Sequence, residues 1–178
     1  MPKHVLVIST SLRPQSQSEL LADHFIAGVQ DAGHDVKKIS LKDRKLDFCE
    51  GNHLCFENGE CVKDDDMAEI RDQMADADIL VFATPVYFSE ACGQFTTLLD
   101  RTKPLLGRPY AFRDVYVLAA SAGTEESIEG TMRSVENWLH AFKRARLAGS
   151  LYAGSLEGDE IALSHPSLQQ AYELGRTV

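Results

Sequence analysis

Short, continuous apolar runs alternate along the chain with longer segments in which apolar side chains recur at helical spacing. The runs at 4–8 (HVLVI), 78–83 (DILVFA) and 115–120 (VYVLAA) are rich in aliphatic and β-branched residues, and weaker runs lie at 36–41 and 147–152. Runs of this kind are typical of strands that are buried on both faces of a parallel sheet. The pattern therefore predicts five strands.

The segments between these runs have the spacing of amphipathic helices. Apolar residues fall on one face over 19–30, 64–77, 92–102 and 126–142, and more weakly over 167–174. Such a face is what a helix buries against a sheet. Strands that alternate with helices are joined by right-handed crossovers, which predicts an α/β fold with a doubly wound parallel sheet.

The carboxyl ends of the strands mark where a ligand is expected, because open parallel sheets bind ligands at that edge. The loops after the first, third and fourth strands, at 9–18, 84–90 and 121–126, should therefore carry the functional residues. Residues 42–63 have no clear period, and irregular stretches of this length are uncommon in compact domains and often functional. Pro85 has no backbone donor, so we expect it to leave the strand ladder.

Composition limits the classes of protein that this chain can represent. Its 178 residues fit a single domain, placed at 1–178, with the irregular loop at 42–63 inside it. The formal net charge of −9 argues against nucleic acid and membrane surfaces as partners, because both attract positive charge. No apolar run reaches the about 18 residues of a membrane span, and the first residues do not form a signal peptide. We therefore expect a cytoplasmic protein.

The first loop, STSLRPQSQSE, places hydroxyl groups and an arginine between a strand and the start of a helix. A helix N-terminus carries unpaired N–H groups and a positive partial charge, which suits a phosphate monoester. Neither the nucleotide P-loop motif nor the dinucleotide GxGxxG motif is present. Ser16 or Ser18 could instead serve only as the helix cap, and both interpretations stay open.

The other two loops also allow two interpretations each. In TPVYFSE, an apolar and aromatic turn can cover a flat ring or can fold into the core. In AASAGTEE, Gly123 lets the backbone approach a ligand closely. The same segment can be an ordinary helix start, with Thr124 as the cap and Glu125 and Glu126 in the first turn.

Three stretches make the chain resemble the flavodoxin-like NAD(P)H-dependent FMN reductases, including their iron–sulfur flavoprotein branch. VISTSLRPQSQSELLA is similar to the family's phosphate loop, with Thr10 where the family usually has glycine. CFENGECVKDDDMAEI is similar to the family's cysteine segment before the second helix. DADILVFATPVYFSEACGQFTTLLDR resembles the family's SPVYF…KxFxDR stretch and is the most specific of the three. The resemblance spans about residues 3–145.

The resemblance implies a five-stranded sheet in the order 2-1-3-4-5 and FMN as the cofactor. It implies that the FMN phosphate is bound by Ser11, Arg13, Ser16 and Ser18, with Ser9, Thr10 and Gln17 nearby. It implies that the isoalloxazine is lined by Pro85, Val86, Tyr87 and Phe88, and contacted on its far side by Ser121, Ala122, Gly123 and Thr124. No side chain is needed as a catalytic acid or base, because the flavin carries out the hydride transfer. The resemblance also implies that NAD(P)H is the electron donor and that the protein forms a homodimer or homotetramer.

The cysteine segment departs from the cluster-binding branch, whose motif is CxxCxxC followed by a fourth cysteine. The four positions are here Cys49, Asn52, Cys55 and Cys61. A four-iron cluster prefers four thiolates, and Cys92 lies too far along the chain to complete the set. We therefore expect no metal. A zinc site completed by His53 is disfavoured by its spacing, and the thiols can instead pack in the loop, shape a pocket or contact a second subunit.

Acidic residues cluster before the helix at 64–77. Asp64, Asp65 and Asp66 could bind a divalent ion, but acids in the first turn of a helix also interact favourably with its dipole, which we favour. Asp100 and Arg101 match the family's final DR pair, and we interpret them as a structural ion pair.

Together these features predict an FMN-dependent oxidoreductase that takes hydride from NAD(P)H and reduces a small acceptor such as a quinone or a flavin. One alternative is a flavodoxin-type electron carrier, whose acidic surface would dock on basic partners. The other is a flavin-free interaction module on the same fold.

Overall fold

The computed structural model describes residues 1–155 and 163–178. The strands are β1 (His4–Ser9), β2 (Asp35–Ser40), β3 (Ile79–Tyr87), β4 (Glu90–Ala91), β5 (Asp114–Ala120) and β6 (Arg146–Ala153). The helices are α1 (Gln17–Asp31), α2 (Leu54–Asn58), α3 (Met67–Asp76), α4 (Gly93–Asp100), α5 (Glu129–Leu139) and α6 (Pro166–Arg176). Short 3-10 turns lie at Leu41–Asp43, Lys103–Gly107 and Glu125–Ile128. The last of these replaces the first turn of the longer helix predicted over 126–142.

The five long strands form one parallel sheet in the order β2-β1-β3-β5-β6. This order confirms the predicted doubly wound topology. The two-residue strand β4 was not predicted and pairs antiparallel with the end of β3. None of the helices in the described ranges has the length and apolar content that crossing a bilayer requires.

Helices cover both faces of the sheet, because successive side chains of a strand point to opposite faces. On one face, Val5 and Val7 of β1 pack with residues of α1 and α6. On the other face, Ile8 and its neighbour Phe82 in β3 pack with residues of α3, α4 and α5. The three central strands β1, β3 and β5 are buried on both faces, which explains why their sequences are continuous apolar runs, whereas the edge strands β2 and β6 are partly exposed.

Helices α1 and α6 touch at two glycines. A Cβ atom at Gly28 would collide with the carbonyl oxygen of Tyr172, and one at Gly175 would collide with the carbonyl oxygen of Phe25. Glycine at these two positions therefore lets the backbones of the two helices approach each other directly.

The prediction that Pro85 leaves the ladder was wrong, because β3 continues through Pro85 to Tyr87. The pairing with β1 ends two residues earlier, at Ala83, while the pairing with β5 includes Pro85. The proline nitrogen therefore lies beyond the end of β1, where no ladder donor is needed. Beyond it the chain turns back as a hairpin into β4, with Phe88 and Ser89 both in the left-handed region at φ 52° and 60°.

The irregular segment at 42–63 forms a folded loop rather than an extended one. It contains α2, and it turns at three residues with left-handed backbone conformations, which are Gly51, His53 and Gly59. Helix α2 packs against the 3-10 turn Lys103–Gly107 that follows α4. The loop therefore lies against the sheet face that carries α4.

Candidate functional site

The three predicted loops meet at one edge of the sheet. Strands β1, β3 and β5 are adjacent and parallel, so the segments that follow them leave from the same side. The first loop is tied to the third strand by a hydrogen bond from the Thr10 N–H to the Ala83 carbonyl, at 2.8 Å. The topology thus places 9–18, 84–90 and 121–126 side by side, as expected of a ligand site in this class of fold.

The first loop ends in a well-formed cap on α1. Ser16 has the extended backbone of an N-cap, and its hydroxyl accepts a hydrogen bond from the Glu19 N–H at 3.2 Å. The Ser18 hydroxyl lies 3.2 Å from the Ser16 hydroxyl, and both side chains are buried. The cap interpretation of Ser16 is therefore confirmed. It does not compete with anion binding, because a hydroxyl that accepts from one group can still donate to another.

Beneath this loop lies an unsatisfied polar atom. Ser9 is fully buried at the end of β1, and its hydroxyl has no hydrogen-bond partner within the chain. Buried hydroxyls without a partner are uncommon in folded proteins and call for a bound water, ion or ligand. Ser11, also buried, accepts a hydrogen bond from the Arg13 N–H at 3.2 Å.

The floor of the site is a small buried polar cluster. The Cys92 thiol lies 3.6 Å from the Thr10 hydroxyl and 3.4 Å from the Thr84 hydroxyl. All three side chains are buried. This cluster joins the first loop, β3 and the start of α4, so it fixes the relative positions of the first and second loops.

The second loop divides its residues between core and surface. Pro85 and Val86 are buried, whereas Tyr87 is half-exposed and Phe88 is fully exposed at the tip of the hairpin. Burial of its inner part and the nearby Cys92 raise the pKa of the Tyr87 phenol, while the Arg13 guanidinium lowers it. The positive charge of Arg13 in the first loop thus acts on Tyr87 in the second.

The hairpin rests on the first turn of α5. A Cβ atom at Gly130 would collide with the Ser89 carbonyl oxygen and with the Glu90 carboxylate. Glycine at this position therefore allows the hairpin that carries Phe88 to pack closely on the helix.

The third loop is organised by Tyr152, which the sequence analysis missed. The Tyr152 hydroxyl lies 2.6 Å from the Ser121 hydroxyl and donates to the Gly123 carbonyl at 3.1 Å. The Ser121 hydroxyl also accepts from the Gly123 N–H at 3.0 Å. Ala122 and Thr124 are exposed at the rim. Tyr152 lies in the weakest predicted strand, 31 residues from Ser121, so no local signal connects it to this loop.

Thr124 begins the 3-10 turn Glu125–Ile128 without a side-chain capping bond. The alternative interpretation of this segment as a helix start is met in position, but Thr124 is the N-cap residue of a 3-10 turn and not of the α-helix. Helix α5 starts five residues after Thr124, at Glu129.

A second cluster lies on the loop at 42–63. The thiols of Cys49, Cys55 and Cys61 line one pocket, which we call the three-cysteine pocket. Asn52 and His53 line it as well, together with Lys63, Arg101 and Lys103. Cys92 is buried elsewhere, in the floor of the loop site. The folded loop thus brings together three thiols and three cationic side chains.

Arg101 holds this loop in place, and its partner is Asp65. The two side chains are 1% and 0% exposed, and two guanidinium nitrogens donate to the two carboxylate oxygens at 2.6 and 2.9 Å. The interpretation of Asp100 and Arg101 as an ion pair with each other was therefore wrong. Asp65 also accepts from the Asp47 and Met67 N–H groups, so it spans the loop and the start of α3.

Asp64, Asp65 and Asp66 precede α3, which begins at Met67, instead of lying in its first turn as predicted. Asp66 accepts from the Lys45 N–H at 2.6 Å, and Asp65 is committed to Arg101. No three His, Cys, Asp or Glu side chains within 1–155 and 163–178 are grouped to hold a single metal ion.

Comparison with known proteins identifies the family to which the chain belongs. A family model described as NADPH-dependent FMN reductase matches residues 4–155. The chain is 32% identical to an iron–sulfur flavoprotein of Methanocaldococcus jannaschii over 135 residues, which are 75% of this chain and 70% of that protein. It is 26% identical to an iron–sulfur flavoprotein of Archaeoglobus fulgidus over 171 residues, covering 94% of this chain and 75% of that protein.

Solved structures share the fold at lower identity. The NAD(P)H:quinone oxidoreductase from Methanothermobacter marburgensis aligns with a TM-score of 0.76 and 20% identity, over 99% of this chain and 98% of that one. The azoreductase from Bacillus anthracis aligns with a TM-score of 0.71 and 14% identity, over 99% of this chain and all of that one. These likenesses support the predicted flavodoxin-like architecture.

Proposed function

The chain belongs to the NADPH-dependent FMN reductase family, and from this premise we propose that it binds FMN, takes hydride from NAD(P)H and reduces a small acceptor such as a quinone or a flavin. The observation that carries the proposal is the meeting of the three loops at the carboxyl edge of β1, β3 and β5. The first of these loops leads into the capped N-terminus of α1, which is the part of the site that suits a phosphate.

The residues of the first loop fit a phosphate monoester. The unpartnered hydroxyl of Ser9 and the buried hydroxyls of Ser11, Ser16 and Ser18 supply hydrogen-bond donors. The exposed Arg13 supplies positive charge, which the chain as a whole lacks at a net −9. In this proposal the phosphate is bound by these groups and by the start of α1, with Thr10 and Gln17 next to them.

The other two loops fit the ring system. Pro85 and Val86 give a buried apolar wall, and the backbone of 121–124, held by Tyr152, presents polar groups at the opposite side. When bound, FMN supplies the two-electron chemistry. The chain's own residues bind the phosphate, position the ring edge and cover one side of the ring, and none of them has to transfer a proton.

The exposed aromatic tip of the hairpin supports a reaction with a planar partner. Tyr87 and Phe88 project into solvent from a hairpin that packs closely on Gly130. We place the nicotinamide and the acceptor in turn beside these rings, where a flat molecule can stack. An apolar, exposed ring of this kind also fits a contact with a second copy of the chain, so we propose a homodimer or homotetramer, to be checked by light scattering.

The relatives are named iron–sulfur flavoproteins, so an iron–sulfur group also has to be considered for this chain. In this chain Cys49, Cys55 and Cys61 of the three-cysteine pocket are the residues that could ligate one. Ligation by four cysteines does not fit, because Asn52 occupies the remaining position. All four cysteines of the chain are free thiols, which fits the reducing cytoplasm where we place the protein.

The visible spectrum of the purified protein after addition of FMN and gel filtration tests the proposal. We expect retained flavin bands that bleach when NADPH or NADH is added without oxygen and return when a quinone is supplied. Bands that bleach only with dithionite would identify an electron carrier instead. Absence of retained flavin would contradict both functions and favour the interaction module.

A further inference from the structure

A groove beside the first loop has no role in the site described so far. It is a cavity of about 350 Å³, a size typical of small-molecule sites. Three segments form it, namely the tip of the first loop, the stretch 41–48 after β2 and the first turns of α4. The apolar side chains that line it are Leu12, Leu41, Leu46 and Phe48. We call it the Phe48 groove.

The Phe48 groove is continuous with the proposed flavin site. Leu12 lies between Ser11 and Arg13, which are proposed to bind the phosphate, and its side chain is 52% exposed. Another wall of the groove begins at Gly93, which directly follows Cys92 in the floor of that site. A ligand bound next to the flavin can therefore extend into the groove.

The outer wall of the groove is an exposed aromatic ring on a fixed backbone. Phe48 is 79% exposed. The Asp47 N–H donates to Asp65 at 2.8 Å. Two further hydrogen bonds join Lys45 and Asp66, at 2.6 Å from the Lys45 N–H to the carboxylate and at 3.1 Å from the Asp66 N–H to the carbonyl. The chain just before Phe48 is thus tied to the start of α3, so the ring and Leu12 form an apolar surface that a ligand can cover.

The charges around the groove favour a neutral ligand. Among the described residues that line it, Arg44 is the one that carries a charge. Its guanidinium lies 2.9 Å from the Glu69 carboxylate and 3.7 Å from that of Asp66, so two negative charges already face it. The chain as a whole carries −9. A phosphate or a sulfonate would be repelled, whereas the amide of Gln94 in the lining can donate to a neutral oxygen.

We infer that the Phe48 groove takes the apolar side chain of a neutral quinone whose ring lies beside Tyr87 and Phe88. The inference rests on the proposed function, and it narrows the acceptor to quinones with such a side chain, in place of phosphate-bearing flavins. The quinone takes up two electrons and two protons and leaves as the hydroquinone. NAD(P)H supplies a hydride, which carries both electrons and one proton, and solvent supplies the second proton. The residues of the groove bind the side chain and transfer nothing.

Two quinones that differ only in the side chain test the inference. Both have a benzoquinone ring with two methoxy groups and one methyl group, and the last position carries either a second methyl group or an isoprenyl chain. Neither has a free ring position to which a thiol of the protein can add. Isothermal titration calorimetry of the full chain, with and without FMN, measures Kd for each, and steady-state kinetics measures KM. The isoprenyl quinone should bind the wild type about tenfold more tightly than the methyl quinone.

Variants on two walls of the groove should abolish this preference. Phe48→Ser removes the exposed ring. Gly93→Leu fills the groove, since a Cβ atom at Gly93 meets no other atom within 4 Å. In both, the ratio of the two Kd values should fall close to one. Phe56→Ser is the matched control in the same loop, 57% exposed and outside the lining, and it should keep the wild-type ratio. Gly107→Leu, where a Cβ atom is equally unobstructed, should keep it as well.

Three results would overturn the inference. An equal ratio in the wild type and all four variants would mean that the side chain does not bind in the groove. A higher KM for NADPH or NADH in Phe48→Ser, with the quinone ratio unchanged, would mean that the groove takes part of the donor. Dissociation of an oligomer by Phe48→Ser, seen by light scattering with the ratio unchanged, would mean that a second copy of the chain covers it. Retained FMN and its bleaching by NADPH report separately on the proposed function, because the Kd ratio is also measured without FMN.

Discussion

Arg101 and Asp65 form a fully buried ion pair that fastens the loop at 42–63 to the end of α4. The guanidinium makes two hydrogen bonds to the carboxylate, and the carboxylate also accepts from the Asp47 N–H inside the loop and from the Met67 N–H at the start of α3. A buried charge is tolerable only when its partners are in place. The position of the three-cysteine pocket therefore depends on an interaction between residues 36 positions apart.

Replacing Asp65 by asparagine should destabilise the protein by about 3–5 kcal/mol, because it leaves the Arg101 charge buried without a counter-charge. Urea denaturation followed by circular dichroism measures the loss. Arg146→Gln is the matched control, since Arg146 pairs with Asp114 but is 77% exposed, and it should change stability little. A loss of the same small size in both variants would contradict the structural role given to Asp65.

The same pair sets the stability of the protein in acid. Burial alone would raise the pKa of Asp65, but hydrogen bonds from Arg101 and the backbone outweigh it and hold the pKa below its ordinary value of 3.8. The stabilisation is therefore present above about pH 4 and is lost as the pH falls through the lowered value. Below pH 4 the wild type should lose stability more steeply than Asp65→Asn, as urea titrations at several pH values can determine.

Removing the polar groups of the first loop should weaken FMN binding. The double variant Ser11→Ala/Arg13→Ala loses a hydroxyl and a charge, and charged hydrogen bonds contribute about 1.5–3 kcal/mol each, so we expect a rise in Kd of at least about tenfold. Flavin fluorescence quenching measures Kd. Arg144→Ala removes an exposed arginine near the amino ends of the strands and should leave Kd unchanged. An unaltered Kd in the double variant would show that the phosphate binds elsewhere.

Tyr152→Phe tests the positioning of the third loop. It removes only the hydroxyl that contacts Ser121 and Gly123, so FMN affinity should fall several-fold and the flavin absorption bands should shift, while the sheet stays intact. Tyr172→Phe removes a comparable hydroxyl, bonded to Asp31 far from the site, and should do neither. Identical flavin spectra and affinities in the two variants would argue against the role of Tyr152.

Gly130→Ala should displace the hairpin that carries Phe88. The added methyl group collides with Ser89 and Glu90, and overpacking of this kind typically destabilises by about 1–3 kcal/mol. We expect a higher KM for the acceptor with FMN still bound, measured by steady-state kinetics. Gly107→Ala places its methyl group in open space and should leave KM at the wild-type value. If both variants behave like the wild type, the hairpin does not contact the acceptor.

Sequence patterns predicted the sheet because its central strands are buried on both faces, which leaves a continuous apolar signal such as that of β3. They predicted the three loops because the edge of a parallel sheet follows from strand order alone. They did not predict Tyr152 or the partner of Arg101, since each contact joins residues more than 30 positions apart and has no local signature. The hairpin at Phe88 was missed because Pro85 was treated as a ladder breaker, although no partner strand needs its donor.

The close backbone contacts at Gly28 and at Gly175 give the last helix an influence on the first. Helix α1 carries the serine cap at one end, and its backbone meets that of α6 directly at Gly28 and at Gly175. A Cβ atom at either glycine would collide with the backbone of the other helix, so the two helices would have to move apart. A larger side chain at either glycine would therefore be felt some 20 Å away, as a displaced anchor point for an anion at Ser16.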